Sequence, residues 1–497
     1  MKLRSLAFLL LLFLASAPLS LPAAEDPSGA PSKEIKQKSA DKTQKGAEEE
    51  GDEALKTTYP SKVSFEKGKH PTIVFGRFGT MSFRTKFQFD WRGYDPDLTT
   101  RKGCGAQADS DGCLFDLNKF RIGIKGLFLK HFDYEVEREF KEGFLQFFPN
   151  PIVDPPKEPK DPWRDVYVNF HRLKFLQIMA GKFKIPFGLE SLQGDSDKDF
   201  VYDARASAQL TPGRDIGIMF HGRLLNKGLG YYAGLFKHDG DGAEYKIVLD
   251  NPQPLGLETG YLSGQRTLVG RLVGTPLRLL PVPEVFKKVE FGTAFTDSPL
   301  PPGRKSLRGR TATKATWYDH IFVEGHRRRY SAEMNWAPGP FSLKGEFIAV
   351  TEQRLKQGLL GNDLPDAIAR GWYLTGSWMV TGERRTAFKP KGPFRYYLVK
   401  GGPGAVELAV RWETLRFGSA EHPGVPTRGF RSPNILPNSD RAWTFGVNWY
   451  LNHWVKIQAN FAHEHLEDPP RRLVLDPTGT TGPDPYWSRV IRIQFAL

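Results

Sequence analysis

The groups in this chain with the most capacity to act on something else are its bases. The 497 residues hold 70 Lys and Arg against 56 Asp and Glu, a formal charge of +14. Residues 1–62 carry nine of each sign, so the whole excess lies downstream of them. A basic balance of this kind attracts nucleic acid, anionic lipid or small anions. In "MSFRTKFQFDW", residues 81–91, Arg84 and Lys86 alternate with Phe83, Phe87 and Phe89. That period of two puts the bases on one face of a β-strand and the rings on the other. In a soluble sandwich the rings would form the core. In a transmembrane barrel they would meet lipid, and the bases would face water in a lumen.

Groupings suited to covalent chemistry or metal binding are weak by comparison. The sequence has no G-x-S-x-G, H-E-x-x-H or Walker loop, so no enzyme and no cofactor is expected. His463 and His465 flank Glu464 on what reads as an exposed strand end. "HDGDG", residues 238–242, lacks the spacing of a calcium loop and reads as a turn. The two cysteines, Cys104 and Cys113, are expected to form one loop disulfide, because a metal role lacks a third ligand.

The elements that must position the bases can be read from the rest of the chain. Lys2 and Arg4, the apolar run Leu6 to Leu14 and the small residues after it form a secretory signal pattern over residues 1–24. Export argues against nucleic acid as a partner. Residues 25–72 have few large apolar side chains and read as a charged linker, disordered or marginally helical. From 73 to 497 alternation recurs, as in "AVELAVRWETL" and "VKIQANFAHEH". No apolar run there approaches the ~20 residues a spanning helix needs, so a membrane-embedded form must be a barrel. Tight links near Lys130, Arg172, Asn226, Pro338 and Asn452 mostly alternate with long polar ones. The count gives about sixteen strands. Short turns on one rim and long loops on the other describe an all-β, antiparallel transmembrane barrel with periplasmic turns and extracellular loops. The rival from another class is an exported soluble or surface β-rich binding protein that buries the Phe83 and Phe87 face.

Several stretches are similar to the phosphate-selective porin O and P family. They include "FRIGIKGLFLKHFDYEVEREF", the G-K-F-K-x-P-F-G-L-E motif at Gly181 to Glu190, "DARASAQLTPGRDIGIMFHG" and "GYYAGLFKHDGDGA". The resemblance covers roughly residues 75–497. It implies a sixteen-stranded outer-membrane barrel, a homotrimer, whose third long loop folds into each pore. It also implies passive diffusion of small anions, with phosphate or polyphosphate as candidate solutes, and contact with outer-membrane lipid and lipopolysaccharide. A general, weakly selective porin is the alternative within this fold. The positions expected to line the anion pathway are Arg84 and Lys86 on the first strand, and Arg205 and Arg214 around the inserted loop. Arg304, Lys305, Arg308 and Arg310 are expected to contribute from the fifth long loop. The run Arg327 to Arg329 is a candidate for lipopolysaccharide phosphates or the periplasmic rim. The chain ends in Leu497, where such barrels usually carry an aromatic residue.

Overall fold

The computed structural model describes residues 62–64, 70–95, 115–141, 161–225, 228–240, 266–312, 316–318, 321–358, 361–385, 390–391, 402, 404–420, 435, 437–467 and 486–497. The chain divides into units Met1–Pro60 and Ser61–Leu497, and every described residue lies in the second. The expected signal peptide, most of the expected linker, and Cys104 and Cys113 lie outside the described residues.

Sixteen strands form one wall. They are β1 (Gly79–Asp95), β2 (Phe115–Phe128), β3 (Phe132–Glu139), β4 (Trp163–Leu173), β5 (Leu176–Lys184) and β6 (Arg214–Leu224). There follow β7 (Leu229–Phe236), β8 (Thr267–Gly274), β9 (Glu290–Lys305), β10 (Phe322–Trp336) and β11 (Phe341–Arg354). The last five are β12 (Leu364–Met379), β13 (Ala405–Ser419), β14 (Asn438–Tyr450), β15 (Val455–Leu466) and β16 (Tyr486–Ala496). Each pairs antiparallel with the next, and β16 returns to β1. At that seam Ile493 stands opposite Phe89, and Thr85 and Leu497 exchange backbone hydrogen bonds of 2.8 and 2.9 Å. The wall is a closed barrel, and closure removes the exposed edge that an open sheet would present. A small antiparallel pair, Lys62–Ser64 with Thr72–Phe75, leads into β1.

The expected segregation of links is present. Residues 129–131, 174–175, 225–228, 275–289, 337–340, 380–404 and 451–454 join strands at one rim, and the eight remaining links join them at the other. Side-chain parity settles which way the first strand faces. Phe83 and Trp91 are exposed on the outer surface, while Gln88, Asp90 and Arg92 are buried inside. β14 repeats the pattern, with Trp443, Phe445 and Val447 outside and Ala442, Thr444 and Asn448 inside. Outer rings also touch across strands: Phe87 stacks on Phe120 at 4.6 Å and Trp412 on Trp443 at 5.3 Å. Aqueous exposure of so many large apolar side chains would be very unfavourable, at ~25 cal/mol per Å2, so the belt requires an apolar solvent. The soluble sandwich is thereby inverted.

Part of the lumen is packed. A cluster including Ile185, Phe187, Leu210, Trp317, Ile348 and Phe417 lies inside the barrel. It joins two chain segments that fold inward, residues 185–213 and the described part of the link after β9 (306–312, 316–318 and 321), to the inner faces of β11 to β13.

Candidate permeation site

The inward segment 185–213 links β5 to β6, and its course is set by hydrogen bonds to the wall. Near its start Gly188 takes φ +80°, a left-handed conformation in which an added Cβ would meet Glu346 Oε1 at 2.5 Å. Glu346 accepts from the Leu189 N–H at 3.0 Å and from Ser207 Oγ at 2.8 Å, gripping the segment at two places. Further along, Val201 N–H donates to Asn460 Oδ1 at 2.6 Å, and Asn448 Nδ2 donates to the Asp199 carbonyl at 2.9 Å. The short helix α1 (Arg205–Leu210) carries the central clamp. Arg205 lies against Glu413 at 3.4 Å and Asp440 at 3.6 Å, and it pairs with Glu464. Beside it, Arg411 reaches Glu190 at 3.2 Å and Glu413 at 3.1 Å. Asp199 pairs with Lys344 and Arg385. These carboxylates and bases are nearly all buried, so each partner offsets the desolvation of the other.

The segment is thus bound to the β11–β15 side and leaves space along the opposite wall. On the short-turn side lies a chamber of ≈ 1210 Å3, reaching from Lys288, Gly274 and Trp454 up to Arg121, Lys184 and Asp195. On the long-loop side lies a smaller one of ≈ 280 Å3, bordered by Arg92, Lys119, Lys198, Arg310 and Arg492. Among the described lining residues Asp195 borders both chambers, and we take its surroundings as the neck between them. Arg121 reaches Asp195 at 2.7 Å, Lys119 at 2.9 Å and Lys198 at 3.6 Å. Burial by itself would raise the Asp195 carboxyl, but Lys119, Arg121 and Lys198 outweigh it and hold it well below the usual carboxylate range. Burial by itself would lower Lys198, and Asp203, Asp195 and Glu190 raise it instead. Both groups are on the inward segment and stay charged at neutral pH.

Both chambers carry an excess of positive charge. The larger is bordered by ten Lys or Arg and six Asp or Glu, the smaller by six and two, an excess of four positive charges in each. Glu346, Glu413 and Glu464 elsewhere in the lumen are engaged in holding the segment in place. Lys86, Arg223 and Lys288 in the larger chamber have no carboxylate within ion-pairing distance among the described residues. Lys184 donates to the carbonyls of Ser191 and Gln193 at 2.7 and 2.6 Å, and Lys456 to those of Ser196 and Lys198 at 2.8 and 3.0 Å. Donors of this kind suit anions, which exchange part of their hydration for guanidinium and ammonium groups.

The structure divides the residues anticipated from sequence. Arg84, Lys86 and Arg214 border the larger chamber, with Arg84 paired to Glu135 at 2.7 Å and Arg214 to Asp165 at 2.9 Å. Arg205 and Arg310 border the smaller one. Arg304 and Lys305 close β9, opposite Val323 and Phe322, and Arg308 is exposed; none of these three borders either chamber. Of the triple arginine run, Arg327 and Arg329 point inward to the buried Asp239, while Arg328 lies outside, 3.5 Å from Asp297. Asp239 sits in "HDGDG", so that turn supplies a buried ion-pair hub. Sequence reasoning missed Lys119, Arg121, Lys184, Asp195 and Lys198 at the neck. For Lys119 and Arg121 a signal existed: they share the parity of Lys125 along "NKFRIGIK". Asp195 and Lys198 sit in a segment with no periodicity to read.

A closed sixteen-strand barrel with an apolar belt, a charged lumen and an inward loop defines an outer-membrane channel protein of the porin class. The chain belongs to the family "Phosphate-selective porin O and P", whose model matches residues 84–249 and 305–479. Porin O of Pseudomonas aeruginosa is 30% identical over 135 residues, a stretch that spans 27% of this chain and 28% of Porin O. Among solved structures, the loop L8 deletion mutant of OmpT from Vibrio cholerae aligns over 84% of this chain and 99% of its own at 9% identity, TM-score 0.49. The anion-selective porin from Comamonas acidovorans aligns over 84% of this chain and 100% of its own at 10% identity, TM-score 0.47.

Proposed function

We propose that the protein forms a water-filled channel for passive diffusion of small anions, with phosphate or polyphosphate among its solutes. The observation that carries this reading is the neck at Asp195, where Lys119, Arg121 and Lys198 converge on a single carboxylate. An anion arriving from the larger chamber competes with Asp195 for those three donors and passes by replacing it. Lys86 and Lys184 would concentrate anions below the neck, and Arg92 and Arg492 would receive them above it. Passage on this reading involves no bond making or breaking, so no enzymatic step is assigned. Assembly as a homotrimer and contact with lipopolysaccharide belong to the same proposal and rest on the family.

The test is single-channel recording with chloride as carrier. Lys119→Gln combined with Arg121→Gln is expected to lower the chloride-to-potassium permeability ratio several-fold. An unchanged ratio would remove these residues from the pathway. Phosphate titrated into the same recording separates the two solute classes: block of chloride current at low concentration, lost in the double variant, supports a phosphate site. Block only at concentrations where other anions do the same supports the general porin.

A further inference from the structure

Four consecutive links at the short-turn rim share a composition that the channel does not require. They follow β2, β4, β6 and β8, and read Leu129-Lys130-His131, Arg172-Leu173-Lys174-Phe175, Arg223-Leu224-Leu225 and Arg278-Leu279-Leu280. Each sets a base beside a large apolar side chain, though Arg223 also borders the larger chamber. Leu225 is 75% exposed and Leu279 86%, with Leu129, Phe175 and Leu280 also open to the surroundings. The turns after β10 and β14, Ala337 to Pro340 and Leu451 to Trp454, carry no Lys or Arg.

Backbone geometry makes the leucines harder to explain as filler. Leu129 and Lys130 have φ of +48° and +63°, and Leu225 has +50°. That region is favourable for Gly and tolerated by Asn, whereas a γ-branched apolar residue in it is strained. Two leucines therefore occupy strained positions, and of these Leu225 buries little of itself within the chain and Leu129 about half. Strain kept at an exposed apolar tip points to a contact outside the barrel. The tips adjoin the apolar belt directly: Phe128 precedes Leu129, and Ile218, Phe220 and Leu224 lead into Leu225 along the outer face of β6. Among the described residues Lys130, Arg172, Lys174 and Arg278 have no carboxylate within ion-pairing distance.

We propose that these four turn tips form a collar that binds an anionic phospholipid layer, the leucines entering the boundary between headgroups and acyl chains and the bases pairing with phosphates. The continuity with the belt places the tips at headgroup depth, and the charge fits phosphate. A partner protein or a second copy would satisfy the apolar tips without requiring Lys130, Arg172, Lys174 and Arg278 beside three of them. The proposal is independent of which ion the channel passes.

The test uses the full-length protein refolded into phosphatidylcholine vesicles with and without phosphatidylglycerol, reading the temperature at which the heat-modifiable folded band is lost. Phosphatidylglycerol is expected to raise that temperature by several degrees for the natural chain. A variant carrying Lys130→Gln, Arg172→Gln, Lys174→Gln and Arg278→Gln should lose most of the rise while matching the natural chain in pure phosphatidylcholine. Leu225→Gly supplies a sign test. It relieves the φ of +50°, so in detergent it should be as stable as the natural chain or more so, and in phosphatidylglycerol vesicles less so. No effect of phosphatidylglycerol, or equal losses in every medium, would overturn the proposal. Dissociation of a detergent-purified oligomer by these substitutions would overturn it in favour of contact between copies.

Discussion

Removing the Asp195 carboxylate from the neck should make the channel more anion-selective. Asp195 neutralises part of the charge of Lys119, Arg121 and Lys198, which lie 2.7 to 3.6 Å from it. With Asp195→Asn, Lys119 loses its carboxylate, while Arg121 keeps Glu137 at 3.3 Å and Glu139 at 2.6 Å and Lys198 keeps Asp203 at 2.6 Å, so the neck gains positive charge in surroundings where it counts for more than in bulk water. The expected outcome is a reversal potential in a KCl gradient shifted further toward chloride, with phosphate held longer at the neck. A shift toward potassium would mean that Asp195 is needed to keep the bases in place. The bases of β1 were legible from sequence because a period of two fixes the face of every residue once one is placed. Arg205 was anticipated at the pore, but its three partners were not. Its backbone N–H bonds Glu413, 208 positions away, and its guanidinium bonds Glu464, 259 positions away. Only closure of the barrel brings such residues together, and no local pattern encodes it.

At the scale of the element, the inward segment is held by buried acid–base pairs and by one glycine. Arg205→Ala would leave Glu413, Asp440 and Glu464 without that cation in a buried setting, and breaking such a pair costs about 3–5 kcal/mol. Its expected signature is low-frequency current noise and a larger conductance as the segment leaves the β13–β15 wall. A change of selectivity with quiet current would instead make Arg205 a direct ion contact. Gly188→Ala places a side chain at φ +80° and against Glu346. It should cost about 1–3 kcal/mol and raise the same noise, measured with thermal unfolding on the same preparation. That the link after β5 enters the lumen was anticipated through resemblance alone. Its composition does not distinguish an inward fold from an outward loop, because the atoms it packs against belong to β11 to β15.

For the whole molecule, the choice between sandwich and barrel was settled by which face is covered. The alternation in "MSFRTKFQFDW" was consistent with both. Link lengths tipped the reading, since a soluble sheet has no reason to sort short turns to one rim. An outer face carrying Phe83, Trp412, Phe445 and Ile493 is stable only in apolar surroundings. Phe445→Arg, central in β14 and pointing outward, should therefore destabilise the protein in bilayers by about 2–4 kcal/mol, read by urea unfolding in vesicles. The polar interior that made a soluble core expensive becomes the lining of the path.

On the function proposed above, this lining passes anions in preference to cations. The most direct measurement is the zero-current potential of the unmodified channel in a planar bilayer separating concentrated from dilute KCl. The potential is expected to carry the sign set by chloride diffusion and to shrink when Lys119 and Arg121 are replaced by glutamine. A potential with the sign set by potassium would contradict the account.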